Sequence, residues 1–293
     1  DGTTWVNSTT TREVVGGPDG YDSLAFHTMA KNALTSGAVF KNANGYTGPS
    51  SVRMSSFSQF GPTDDGRVKP DMVAPGVGLF TPWGTSGYSN GTDGTSFSAP
   101  AMSGGLALML EQYIKLKGTQ PTAATLKAIA IHGTDEAGAN PGPDGAFGWG
   151  QMNVEKSCSI INQSAFSPDL IQQRRLTQGQ TVDIPVRIGE GPVRITMVWT
   201  DPPGPVHPKA ANDRTPVLVN DLDMELIRLS DNQTFLPWKL DAANPGAAAT
   251  RGDNNVDNVE VIDVENAPAG AYVLRISHDG TALSPGGFQD YSL

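Results

Sequence analysis

The hydrophobic period changes once along this chain, and that change limits what it can fold into. Up to about residue 163, helical spacings, short apolar runs and Gly/Pro-rich loops alternate, the texture of an α/β fold. Beyond "NQSAFSPDLIQQRRLTQGQ" the period becomes two: Val182, Ile184, Val186 and Ile188 alternate with polar or constrained residues, and so do Val193, Ile195, Met197 and Trp199. Successive side chains of a strand point to opposite faces, so this alternation predicts half-buried strands. More strands are expected around "DLDMELIRL", "DNVEVIDV" and "AYVLRIS", broken by "DPPGP", "NPG" and "SPGG" turns. The expected organisation is an α/β region over 1–163, a linker over 164–178 and an all-β sandwich or jelly roll over 179–293.

At 293 residues and 38% apolar composition the chain can bury a substantial core. Its formal net charge of −10 comes with no basic stripe, which argues against a nucleic-acid backbone or an anionic membrane surface as partner. No apolar run reaches the roughly 18 to 20 residues of a membrane span. The start "DGTTWVNSTT" has neither a basic leader nor an initiator Met, so the chain is expected to be part of a longer protein. Cys158 is the single cysteine, which excludes an internal disulfide; "VEKSCSII" reads as a small buried helix residue.

In "GTDGTSFSAPAMSGGLALML", residues 91–110, a Gly-rich loop runs into an apolar helix. Met102, Leu106, Met109, Leu110 and Tyr113 recur at three- and four-residue spacing, predicting a helix to about Lys117. Ser96 stands at its mouth, where unpaired N–H groups and the helix dipole favour a developing anion. Pro100 is expected to be tolerated in that first turn. Gly94, Ala99, Gly104 and Gly105 keep bulk away, so a substrate backbone can approach and the helix can pack closely. Taken alone, a serine here reads more readily as an N-cap than as a nucleophile.

The surrounding residues change that balance. "GTSFSAP" resembles the nucleophile block of the subtilisin-like serine proteases, the subtilases. "TMAKNALTSGAV", "SSFSQFGPTDDGRVKPDMVAPGVGLFTP" and "LKAIAIHGTDEAGANPGPDGAFGWGQMN" resemble further blocks of that family, in the same order. "VWTDPPG", "LVNDLDMEL", "GDNNVDNVEVI" and "APAGAYVLRISHDG" resemble the C-terminal β-sandwich of a subgroup of secreted bacterial subtilases. The resemblance implies the C-terminal part of a subtilisin-like parallel-sheet domain and a secreted, extracellular enzyme of bacterial type. It further implies a polypeptide substrate cut through an acyl-enzyme on Ser96, with the loop residues Gly94 and Thr95 and the Ser96 N–H facing the oxyanion. Phe97 stands where most subtilases carry methionine, which removes an oxidisable sulfur. Asp93 reads as a loop carboxylate suited to the helix dipole.

The family also uses an aspartate and a histidine upstream of the serine. Only His27 precedes Ser96, and "LAFHTMAKN" is not the catalytic-histidine context. His132 falls at the end of a helix predicted over 122–131 and reads as a dipole-favoured terminus, with Gly133 as its stop. His207 and His278 have no family counterpart, and Asn7 sits in surroundings unlike those of the oxyanion asparagine. The chain is therefore expected to lack the triad Asp and His, with an N-terminal chain or segment supplying them and the oxyanion Asn. The alternative is a catalytically inactive fragment or binding module that uses the β-sandwich. No cofactor is expected for catalysis. Asp221, Asp223, Asp253, Asp257 and Glu260 offer hard oxygens suited to a structural Ca²⁺, which the resemblance favours, but turn chemistry and a solvated acidic rim explain them as well.

Overall fold

The computed structural model describes residues 23–206, 213–279 and 282–293; Asn7 and His207 lie outside the described residues. Its first region holds β1 (Ser36–Phe40), β2 (Met72–Val77), β3 (Leu79–Trp83), β4 (Gly87–Thr92), α1 (Thr95–Lys117), α2 (Ala123–His132) and α3 (Val154–Gln163). The second holds β5 (Gln173–Thr177), β6 (Val182–Ile188), β7 (Gly191–Trp199), β8 (Leu222–Arg228), β9 (Thr234–Phe235), β10 (Trp238–Lys239), β11 (Thr250–Arg251), β12 (Val259–Ala267), β13 (Gly270–His278) and β14 (Phe288–Ser292). The strands predicted from alternation are all present. Part of the expected linker, residues 173–177, is instead a strand, β5, paired with β14.

β1 and β2 pair in parallel, with Ala38 and Ala74 in register, while β3 and β4 form an antiparallel hairpin. α1 ends as its sequence requires: Gly118 takes the left-handed φ of 72°, and its N–H bonds to the Ile114 carbonyl. The cap of α2 is the Thr122 hydroxyl, which accepts from the Thr125 N–H. Gly133, by contrast, is not a left-handed stop, since its φ is −82°. A Cβ there would lie 2.2 Å from Ser157 Oγ, so the glycine permits close approach of α3 to the end of α2.

The later strands form two four-stranded sheets, ordered β12-β7-β14-β5 and β6-β13-β8-β9, with antiparallel pairing throughout. Leu176, Met197, Trp199, Ile262 and Tyr291 from the first sheet share an apolar cluster with Leu222, Met224, Leu226, Tyr272 and Ile276 from the second. The opposite face of the first sheet is also covered: Val198, Val259 and Val261 join Met109, Ala128 and Ile131 of α1 and α2 in one core. β7 and β12 are consequently buried on both faces at residues 196–199 and 259–262, which is why Val198, Val259 and Val261 are apolar on the face turned to the helices.

Polar contacts join the same two regions. Lys31 Nζ pairs with Asp201 and donates to the Pro202 and Val217 carbonyls at 2.8 and 2.6 Å. The Asp201 carboxylate accepts the Val219 and Asn220 N–H groups at 2.9 and 2.8 Å. Asn32 Oδ1 accepts from the Asp201 N–H at 3.0 Å and from Asn258 Nδ2 at 2.9 Å. The antiparallel sheets are thus fastened to the α/β region by apolar and charged contacts alike.

Candidate functional site

The loop that presents Ser96 is shaped by glycines. A Cβ on Gly76 would lie 2.8 Å from Ala38 Cβ and 2.9 Å from the Gly94 carbonyl, so only glycine lets the loop rest on the end of β2. The Gly94 N–H donates to the Gly76 carbonyl at 2.8 Å, and the Gly78 N–H donates to Asp93 Oδ1 at 2.7 Å. Asp93 therefore ties the loop to the root of the β3–β4 hairpin. Gly76 was not singled out from sequence; its signal is the "APG" immediately before the hairpin.

Gly94, at φ 152°, is the N-cap of α1, so Thr95 and Ser96 are its first two helical residues. Ser96 is not the cap. Its side chain is exposed and has no hydrogen-bond partner among the described residues. The N–H groups of Thr95 and Ser96 have no intrahelical acceptor, as at any helix start. Ser98, two residues on, is buried and spends its hydroxyl on the Thr95 carbonyl at 3.0 Å. Pro100 is the sixth helical residue, beyond the first turn, and its missing N–H leaves the Ser96 carbonyl without its helical donor. The two central glycines differ: a Cβ on Gly105 would meet Met152 and Val154 within 2.9 Å, whereas one on Gly104 would meet nothing within 4 Å.

None of the described histidines is bonded to Ser96. His132 Nδ1 lies 3.2 Å from Thr196 Oγ1 of β7. Burial, reinforced by the Arg194 charge and partly opposed by Asp263, pushes its pKa down to about 4. It is therefore a neutral packed imidazole, not the charged helix terminus expected from its position. His278 Nε2 accepts the Gly179 N–H at 2.8 Å. His27 is exposed in a 3-10 turn, Phe26–Met29. Cys158 is only partly buried; burial raises its thiol pKa, away from reactivity.

A second constellation lies at the edge of the antiparallel sheets. One oxygen from each of Asp223, Asp253 and Asp279 lies within 4.8 Å of the others. Asp223, Asp253, Asp279 and Glu260 line a cavity of ≈ 250 Å³. On β12 the alternation sends Val259 and Val261 toward the helices and Glu260 between the sheets. Glu260 is 0% exposed, and neither of its oxygens makes a proper hydrogen bond, the Met224 N–H giving only partial relief. Burial and then the Asp223 charge hold its carboxyl well above the usual range.

Asp223 is pushed up to about 8 by burial and by Asp221, Asp279 and Asp253, and Asp221 up to about 7 by burial and by Asp253 and Asp279. Asp221 Oδ1 is likewise buried without a partner. These groups are where a hard cation would be held, and the unpaired buried oxygens fit one. Asp257 does not join them. Its Oδ2 accepts the Val68 N–H at 2.8 Å in a buried setting near Lys127, Lys69 and Arg67, so the expected ligand is an interface carboxylate. Asp279 was missed because a lone aspartate after β13 gives no local signal.

Residues 7–150 match the sequence model described as the Subtilase family. This segment belongs to the subtilases. Among relatives of the chain, the serine protease/ABC transporter B family protein tagA of Dictyostelium discoideum is 27% identical over 75% of this chain and 14% of that protein. A C5a peptidase of Streptococcus pyogenes is 34% identical over 31% of the chain and 8% of its own length. Pyrolysin of Pyrococcus furiosus is 31% identical over 38% of the chain and 8% of its own length. The chain thus spans a small part of these relatives. Among solved structures, the patellamide maturation protease PatA is 22% identical, with a TM-score of 0.39 over 49% of this chain and 48% of that one. No helix among the described residues is long and apolar enough to cross a membrane.

Proposed function

We propose that this chain carries the nucleophile of a secreted subtilisin-like serine endopeptidase, with Ser96 as the residue acylated by a polypeptide substrate. The observation that carries the reading is the exposed, unpartnered Ser96 hydroxyl beside two free N–H groups at the start of α1. In this reading the Ser96 N–H donates to the oxyanion, and Gly94 leaves room for the substrate carbonyl. A histidine base, its aspartate and a second oxyanion donor come from a segment outside the described residues. The open face of α1 supports this: Ala99, Ala101, Ser103, Gly104, Ala107 and Leu108 are all exposed, beside a parallel sheet that has two strands among the described residues. The test is a fluorophosphonate reaction read by intact mass, on the chain alone and within its longer parent. An adduct on Ser96 is expected in the parent, with turnover lowered roughly 10⁴-fold or more in Ser96→Ala. A parent that cleaves peptides without labelling Ser96 would refute the assignment.

The two antiparallel sheets are read as a β-sandwich whose acidic edge holds Ca²⁺ through Asp221, Asp223, Asp253, Asp279 and Glu260. The buried, unpaired Glu260 carboxylate supports this reading. Bound calcium would neutralise carboxylates that otherwise repel, and at 100 to 1,000 times its dissociation constant it adds about 3 to 4 kcal/mol to stability. Thermal melts of the whole chain in EDTA and in added Ca²⁺ test it. Asp253→Asn is expected to shrink the difference and Asp257→Asn to preserve it, while identical curves for the native chain would leave the cluster without a metal role.

A further inference from the structure

A cavity of ≈ 600 Å³ opens between α2, α3, the 163–174 segment and strands β6 and β7, and no residue of the Ser96 loop or of the acidic cluster lines it. That volume is in the range of small-molecule sites. Its walls are aliphatic: Ile184 and Val186 from β6, Val193 and Ile195 from β7, and Leu274 from β13. Ile184, Val186, Val193 and Ile195 stay only partly buried although they pack against the core of the two sheets, because no side chain among the described residues fills the space beside them. Apart from His132, no aromatic ring among the described residues lines the cavity, so nothing offers a stacking platform for an aromatic or nucleotide ligand.

The charged groups in these walls are mostly donors. Arg194 Nη2 donates to the Ile131 carbonyl at 3.3 Å, whereas its Nε is buried and has no hydrogen-bond acceptor among the described residues; Asp263 Oδ1 is 3.6 Å away, too far for one. A buried guanidinium N–H without an acceptor is costly and uncommon. Arg174 and Arg187 add two more positive charges to the lining, against the single carboxylate of Asp169. Neither arginine is in an ion pair among the described residues; Arg174 Nε donates to the neutral Gln172 side chain. With one histidine, already bonded to Thr196, and one aspartate, the lining has no metal-ligand set.

The geometry points to a binding site for an aliphatic carboxylate, its chain against Ile184, Val186, Val193, Ile195 and Leu274 and its head group accepting from Arg194. The chain would gain apolar contact on surface that is now half-wet, and the carboxylate would supply a counter-charge and a further acceptor to the guanidinium of Arg194, in a lining where three arginines face the single carboxylate of Asp169.

Calorimetric titration of the whole chain with decanoate, and separately with decanol, tests this. Decanoate is expected to bind with one-to-one stoichiometry, at least about tenfold more tightly than decanol, because a charge-assisted hydrogen bond is at stake. Arg194→Gln should weaken decanoate by a similar factor and leave decanol unchanged. Ile184→Trp and Val193→Trp, which fill the cavity from neighbouring walls, should each abolish binding while thermal melting remains cooperative; two positions guard against one substitution failing to fold. Absence of saturable binding, equal affinity for the alcohol, or full binding by either cavity-filling variant would overturn the proposal.

Discussion

Among the described residues, Ser96 in the α/β region has no hydrogen-bond partner and Glu260 between the antiparallel sheets has only partial relief from the Met224 N–H, but the two stand under opposite conditions. The serine hydroxyl is exposed, so water satisfies it and its lack of a protein partner costs almost nothing. The glutamate is fully buried, so its unpaired oxygens carry the cost of desolvation. An unpartnered group on a surface is accessible to a reactant, whereas an unpartnered charge in a core marks a place where another charge belongs. The α/β region reaches its arrangement through backbone, with Gly76 and Gly94 letting the loop lie flat on β2. The sheet region reaches its own through side chains brought together by register.

The largest effect is expected at the contact that joins the regions. Asp201 is wholly buried and serves Lys31 together with the Val219 and Asn220 N–H groups. Asp201→Ala leaves a buried ammonium short of its counter-charge and two N–H groups without acceptors, a loss of about 3 to 5 kcal/mol. Urea unfolding of the whole chain should show this as an earlier transition. Two well-separated transitions in the native chain would instead mean that the regions unfold independently.

Next comes a pH effect at the same junction. His132, on α2, faces Arg194 of β7 and Asp263 of β12, and its folded pKa is about 4 against an ordinary 6.5. Below pH 6.5 the unfolded state takes up a proton that the folded state refuses, so stability is full above 6.5 and falls as pH drops toward 4. At roughly 1.4 kcal/mol per unit the loss is about 3 kcal/mol. His132→Asn should flatten that part of the urea-stability profile; an unchanged slope would assign the acid sensitivity to other groups.

Glu260→Met separates the two conditions in which the sheet region can be studied. In EDTA the substitution removes an unsatisfied buried carboxyl and is expected to stabilise by about 1 to 3 kcal/mol. In excess Ca²⁺ it should destabilise relative to the native chain, because a ligand is gone. The same sign in both conditions would argue against Glu260 as a ligand. The smallest effect belongs to Ser96→Ala, which should alter stability by less than about 0.5 kcal/mol because the side chain is exposed and unbonded. A marked fall in Tm would show that the hydroxyl has a structural partner.

Local spacing determined a good deal by itself. The three- and four-residue recurrence after Ser96 gives α1 through Lys117, and the alternation at 182–188 gives β6, because both depend on residues a few positions apart. The place of Ser96 at a helix start was legible for the same reason. Its freedom from capping was not, since that rests on Gly94 rather than Ser96 taking the cap position.

What only the tertiary structure decided is every arrangement that depends on distant strands meeting in register. The charge and burial of Asp257 and Glu260 look alike in sequence, three residues apart. β12 begins between them, and the fold sends Asp257 to the Val68 N–H and Glu260 to the acidic cavity. The joining of Asp279 to Asp223 and Asp253, and of Lys31 to Asp201, is likewise beyond local pattern. Periodicity fixes which face a residue takes on its own element, but the neighbour across that face is set by how the elements pack.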